Sequence, residues 1–237
     1  MARVVAVGQP TNESERSAIR HLRDHLPDSF TVIHNFELTE GLEVAEIDLA
    51  IIAPHCVYVV DVKGTRGRVD VHGSKWYPEG RQAFHSPLAK LRHHAKALKS
   101  LICDSQPANL DLRGIHVQEA VLMTAPDARV HDRYGEDVRR VTSMADAASF
   151  FTSTALIPPG RAHDIRPLHR LVERAILGRA RPPTESLRFG QWQVDEQLSA
   201  ADRYVEYRAH HALLGSRAGT ALLRAYRVDP YLPDAER

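Results

Sequence analysis

Cysteine is close to absent from this chain of 237 residues: Cys56 and Cys103 are its two, too few for a disulfide framework and suited to a reducing cytoplasm. Long apolar runs are missing as well. The opening run, VVAV before Gly8 and Gln9, is too short for the apolar core of a signal peptide. No other run approaches the roughly 20 residues of a membrane-spanning helix, so no membrane partner is expected. An excess of charge is also missing, with 31 basic against 30 acidic residues and a net charge of +1. Binding to a polyanion therefore has to come from a local patch and not from the whole surface. There is no P-loop, no C-x-x-C pair, no H-E-x-x-H and no G-x-S-x-G elbow, which removes the commonest nucleotide, zinc and serine chemistries. Internal repeats and low-complexity tracts are lacking too. What remains, 43% hydrophobic and 26% charged, is an ordinary globular composition long enough for one large domain or one domain with an appendage.

Against that background the stretch from Glu46 to Lys63, EIDLAIIAPHCVYVVDVK, is unusual. Two apolar runs, Ile47 to Ala53 and Val57 to Val62, flank a Pro54-His55-Cys56 turn and read as a buried hairpin. Side chains alternate along a strand, so Glu46 and Asp48 share one face of the first run, and Val59, Asp61 and Lys63 share one face of the second. Pairing the runs brings Asp48, Asp61 and Lys63 together. Ionised groups inside a sheet are costly unless they pair or hold a metal. Two carboxylates at strand ends suit Mg2+ or Mn2+, and a neighbouring lysine suits the activation of water for attack on phosphorus.

Asp48, the hairpin and then Asp61-Val62-Lys63 resemble the PD-(D/E)xK nuclease signature. More narrowly, residues 10 to 160 resemble the nuclease-related domain (NERD) family. The likeness rests on the Glu15-Arg16 helix start, Glu46-Ile47-Asp48, Val60-Asp61-Val62-Lys63, the Gly67 turn, Trp76 and the Ser86-Pro87-Leu88 helix opening. Asp61 stands where the family usually has glutamate, and Lys90 where many members have glutamine. The resemblance implies a mixed central sheet flanked by helices, Asp48, Asp61 and Glu15 as metal ligands, and Glu15, Asp48, Asp61 and Lys63 as the catalytic set.

From Thr11 to Leu26 the pattern is helical, with Thr11 or Asn12 as N-cap and Glu13 and Glu15 in the first turn, where the dipole favours acids. Ile19, Leu22 and Leu26 form its stripe, and Glu15 falls on it, as either a site acid or helix-end compensation. His21 and His25 have zinc-ligand spacing but no third ligand nearby. Phe30 to Glu37 and Arg68 to His72 read as strands, and Trp76 as a packing residue or a base-stacking platform. A helix from Pro87 to Ile102 buries Leu88, Leu91, Ala95, Leu98 and Ile102. Between Arg81 and Lys99 it has bases and no acid. Arg66, Lys90, Arg92, His94 and Lys96 are the candidates to hold a phosphate backbone, unless this is only a solvated flank.

Val117 to Thr124 reads as a core strand and Val138 to Thr142 as another. Helices follow at Ala145 to Ser153 and Ile165 to Leu177. The expected domain spans 1–180, with a linker at 181–186 and a tail at 187–237 whose three strands, Phe189 to Asp195, Tyr204 to Ala209 and Leu222 to Val228, read as antiparallel. The tail resembles the first strands of the kinase-like segment of certain bacterial phage-defence kinases. It has no G-x-G-x-x-G loop, Arg224 stands at the lysine-like position, and no H-R-D or D-F-G follows, so no ATP binding or kinase activity is expected of it. Together these features predict an α/β, cytoplasmic, Mg2+- or Mn2+-dependent DNA nuclease. Its expected partners are DNA, an attached kinase domain and other defence-system proteins. The alternatives are a nonhydrolytic nucleic-acid sensor that regulates such a kinase, and an interaction scaffold whose buried charges merely pair.

Overall fold

The computed structural model describes residues 1–40, 43–105, 111–132, 135, 137–161, 163–183, 188–200, 204–211 and 215–226. The chain divides into two compact units, Met1–Arg181 and Pro182–Arg237. In the first, β1 (Arg3–Ala6) leads to α1 (Glu13–His25), then to β2 (Thr31–Glu40), β3 (Glu43–Ile52) and β4 (Val57–Lys63). Three short strands, β5 (Arg68–His72), β6 (Lys75–Pro78) and β7 (Phe84–His85), precede the long helix α2 (Pro87–Asp104). After it come β8 (Val117–Met123), β9 (Arg129–Asp132), β10 (Val141–Ser143), α3 (Ala147–Thr152) and α4 (His169–Arg179).

The main sheet has the order β1-β2-β3-β4-β8-β10. Its β2–β4 meander is antiparallel, whereas β1 joins β2, β8 joins β4 and β10 joins β8 in parallel, so the architecture is mixed α/β. Parallel neighbours require a crossover, and the chain between β4 and β8 supplies it with α2. One buried cluster unites Ala50, Ile52, Val57 and Val59 of the sheet with Leu88, Leu91 and Leu98 of α2 and Val172 and Ile176 of α4. Each valine, leucine or isoleucine of the cluster contributes about 1.5–3 kcal/mol on leaving water, which offsets the cost of the charges at the hairpin's far end. Helix α1 buries Ala18, Ile19 and Leu22 apart from that cluster. The smaller sheet, β7-β6-β5-β9, gives Val69, Val71 and Trp76 to it. Trp76 is fully buried beside Phe84, which makes it a packing residue and not a stacking platform.

Local chemistry explains the boundaries. Asn12 is the N-cap of α1, its Oδ1 accepting from the Glu15 backbone N–H at 3.0 Å. Pro87 starts α2, but the Ser86 hydroxyl donates to Asp137 Oδ2 at 3.1 Å and makes no cap bond. The strand expected at Val138 begins as a 3-10 turn, Val138–Arg140, and only then becomes β10. The helix expected from Ile165 likewise opens with a 3-10 turn, Arg166–Leu168, that carries Pro167. Among the described residues no helix is long and apolar enough to cross a membrane.

The second unit is an antiparallel sheet of β11 (Arg188–Phe189), β12 (Trp192–Ala200), β13 (Tyr204–His211) and β14 (Gly215–Tyr226). It has one strand more than the periodicity shows, because β11 is too short to leave a pattern. Val228, the last residue of the expected third strand, lies outside the described residues, as do residues 184–186 of the expected linker. Arg224 is engaged within the sheet, its Nη2 2.6 Å from Glu206 Oε1 and its guanidinium over the Tyr204 ring. Residues 1–181 are expected to melt as one cooperative unit after deletion of the tail, provided that Arg181 is kept. Its backbone exchanges hydrogen bonds with Glu37 on β2. An unfolded 1–181 fragment in a thermal melt would assign the tail strands to the first unit's core.

Candidate active site

The β3–β4 ladder runs from Ile52 opposite Val57 to Leu49 opposite Val60 and then stops. The next step of that register sets Asp48 against Asp61. The β2–β3 ladder lacks a pair at the same level: His34 faces Leu49 and Phe36 faces Ile47, while Asn35 between them has a left-handed φ of 52°. Alternation breaks there. Ala50 and Ile52 lie in the main core on one side of the break, and Ala45 and Ile47 on the other, so Glu46 and Asp48 do not share surroundings as strict alternation predicts; Glu46 is exposed. A distortion of this kind re-aims side chains at a strand end. Freed from the ladder, Asp48 accepts the Val62 backbone N–H at Oδ2, 2.8 Å away.

Asp61 and Lys63 follow on the same face of β4, with Lys63 Nζ 2.7 Å from Asp61 Oδ2. That oxygen is buried and receives no aligned hydrogen bond, so the ammonium is a charge partner with poor donor geometry. Burial, then the Asp61 charge, push the Asp48 carboxyl up from 3.8 to about 7; Glu15 adds to the rise, while the Val62 N–H and Lys63 oppose it. The site is short of positive charge.

Glu15 is buried at the start of α1 and accepts four hydrogen bonds. They come from the Thr11 backbone N–H (2.8 Å), the Thr11 hydroxyl, Asn12 Nδ2 (2.6 Å) and Asn35 Nδ2 (2.6 Å). The last of these ties α1 to the distorted position of β2. Asn35 Oδ1 in turn lies 2.8 Å from Nδ1 of the buried His34, whose pKa burial lowers. Gly64, directly after Lys63, permits the approach of α1: a Cβ there would stand 2.3 Å from Ser14 Oγ and 3.3 Å from Ser14 Cβ. Asn35 and Gly64 thus position the site without lying on its motif. The visible signal for the first is a polar His34-Asn35 pair inside an apolar strand.

The donors fit a divalent cation in part. Asp48 and Asp61 converge, one oxygen of Asp61 is buried without an aligned donor, and hard carboxylate oxygens suit Mg2+ or Mn2+. Among the described residues no three His, Cys, Asp or Glu side chains are gathered closely enough to hold a metal by themselves, and the Glu15 oxygens are turned to Thr11, Asn12 and Asn35.

The residues expected to meet a phosphate backbone are divided. Arg66, Lys90 and Lys96 are exposed. At about 100° per residue, Lys90 falls on the opposite flank of α2's buried stripe from Arg92, Lys96 and Lys99, so the basic run is two flanks and not one face. Arg92 reaches across to β8, with Nε 3.3 Å from Glu119 Oε1 and Nη2 3.7 Å from Asp137 Oδ1. Arg140 pairs with the same Glu119 oxygen at 2.9 Å. His94 requires a correction: it is 4% exposed, packed on the inner side of α2, and burial beside Lys90 and His93 lowers its pKa to about 4. A neutral, buried imidazole does not hold phosphate. Glu119 escaped the sequence reading because it sits within VQEAVLM, where a core strand was expected.

Residues 10–124 match the family described as Nuclease-related domain. Over 144 residues the chain is 32% identical to the protein named "Probable kinase PglW" of Streptomyces coelicolor. That match covers 56% of this chain and 9% of the relative, so the chain spans only a small part of that protein's length. No solved structure matches significantly. Glu15, Asp48, Asp61 and Lys63, together with the elements that carry them, all fall within residues 10–124, the stretch that is similar to the nuclease-related domain family.

Proposed function

We propose that the first unit is a metal-dependent nuclease that hydrolyses DNA phosphodiesters. The observation that carries this reading is the meeting of Asp48 and Asp61 at the open end of the hairpin, with Lys63 2.7 Å from Asp61 and the Asp48 carboxyl pushed up by burial and then by its like-charged neighbour. Asp48 and Asp61 would hold Mg2+ or Mn2+ directly, and Glu15 would act on it through water, since its own oxygens are occupied by Thr11, Asn12 and Asn35. The cation supplies charge for the phosphoryl oxygens and lowers the pKa of water. Lys63, with its ammonium partly exposed, orients the attacking water and stabilises the charge that grows on phosphorus. Water adds opposite the leaving oxygen, the P–O bond breaks, and a phosphate monoester and a hydroxyl end result.

A second reading, a nonhydrolytic nucleic-acid sensor that regulates an attached kinase, is favoured by the similarity to a probable kinase. Either role suits a cytoplasmic defence protein with a kinase segment and other defence proteins as partners. Incubation of the purified chain with plasmid and linear DNA separates the two. Cleavage that appears with Mg2+ or Mn2+ and stops with EDTA supports the nuclease, whereas binding without cleavage under every metal condition supports the sensor.

A further inference from the structure

A second basic surface lies along the sheet from these acids. A cleft of about 570 Å3 opens between the later turns of α2, the loop before β8 and the segment around Arg161, and its walls include Arg92, Lys96, Lys99, Arg113, Arg161 and His163. Glu119 is the acid among its lining residues, and it is already paired with Arg92 and Arg140. Two of the cations build the cleft. Arg92 makes that pair, and Lys99 Nζ donates to the backbone carbonyls of Leu112 (3.2 Å), Arg113 (2.6 Å) and Ile115, which braces the loop that presents Arg113. His163 closes one end beside Gly114. Lys96, Arg113 and Arg161 are exposed, and each comes from a different segment. On a chain with a net charge of +1, this is a marked local excess.

The register fixes where the cleft lies. Val117 pairs with Val57 at the start of β4, and Met123 pairs with Lys63 at its end. The rim at Val117 is therefore six residues from the level of Lys63, about 20 Å at roughly 3.3 Å per residue. That is about six base-pair steps of a duplex at about 3.4 Å each. An open trough with cations from three segments suits a continuous row of charges better than a single anion. Its alignment with the strand that ends at the acids suits the same polymer that the acids would cut.

We propose that this cleft is a remote anchor for the phosphodiester backbone of duplex DNA, gripped by Lys96, Arg113 and Arg161 about six base pairs from the acidic site. The choice of polymer rests on the nuclease reading, and the place of contact on the cleft alone. Anisotropy of a labelled duplex, measured in EDTA to prevent cutting, tests it across a salt series. Changing Lys96, Arg113 and Arg161 together to alanine should flatten the slope of log affinity against log salt by about 2–3, at about 0.9 per lost phosphate contact. Lys90→Ala, on the other flank of α2, should change it by less than one such contact. All three cleft residues are exposed, so the melting temperature should hold. A triple variant with the wild-type slope overturns the anchor alone, whereas a wild-type protein that binds no duplex sinks the nuclease reading together with it. Poly-glutamate that displaces the duplex at equal charge would overturn the anchor in favour of an acidic protein segment.

Discussion

Replacing Lys63 with alanine is expected to lower metal-dependent DNA cleavage by about 10²–10³-fold or more, the usual cost of removing one charge-stabilising donor from a transition state. Lys63 is the last residue of β4, and its strand end is held independently of its side chain: its carbonyl accepts the Thr124 backbone N–H at 2.9 Å and the Thr124 hydroxyl at 3.3 Å. The variant should therefore fold. Its ammonium stands 2.7 Å from Asp61 Oδ2 and is about a third exposed, close enough to order the acid and open enough to meet a phosphate. In the proposed mechanism its work lies on the attacking water and on charge that develops only during the reaction, so duplex affinity in EDTA should move little while kcat falls. Lys63→Arg keeps the charge but replaces a compact ammonium with a planar fork, and partial activity is expected. Single-turnover cleavage paired with anisotropy checks this. A Lys63→Ala protein that cuts at the wild-type rate would remove lysine from the mechanism.

The hairpin was legible because its two runs are apolar except at Asp48, Asp61 and Lys63, and a buried strand leaves few other reasons for such residues. Glu15 was legible as a buried position, since it shares the stripe of Ile19 and Leu22, and it is buried. What it does there was not legible. Its partner Asn35 lies on another element, and the left-handed turn that aims Asn35 has no glycine to announce it. The same break in β2 and β3 defeats strict alternation at Glu46. On α2 the acid-free run was visible, but the carboxylates that claim Arg92 come from β8 and from the loop before β10, which no helix periodicity reaches. His94 was within reach of the sequence. Its spacing from Leu91 and Leu98 places it beside the buried stripe, although a histidine among lysines and arginines also suits a phosphate contact. The strands β9 and β11 were missed for a simpler reason, because four and two residues are too short to show a period.

Asp48→Asn is expected to make the metal-free protein more stable at about pH 8, by on the order of 2–4 kcal/mol, while removing its response to cations. The carboxyl's folded pKa, about 7, lies above its ordinary 3.8, raised by burial and by Asp61. The folded state therefore binds more protons than the unfolded one between those values, and stability is lost as pH rises from about 4 through about 7. Asparagine stays neutral throughout and keeps an oxygen for the Val62 N–H, so the variant escapes that loss. At about pH 5 most of the difference should vanish, because Asp48 then carries its proton in the folded chain. A divalent cation should reverse the ranking by binding the charged pair. Mg2+ or Mn2+ should raise the melting temperature of the wild type at about pH 8, do little at about pH 5, and leave Asp48→Asn unmoved at either. Calorimetric melts in EDTA and in each metal read all of this without relying on cleavage. A variant that is less stable than wild type at high pH in EDTA would show that Asp48 is held by favourable partners, and the acidic pair would then be a structural contact and not a site kept open for a cation.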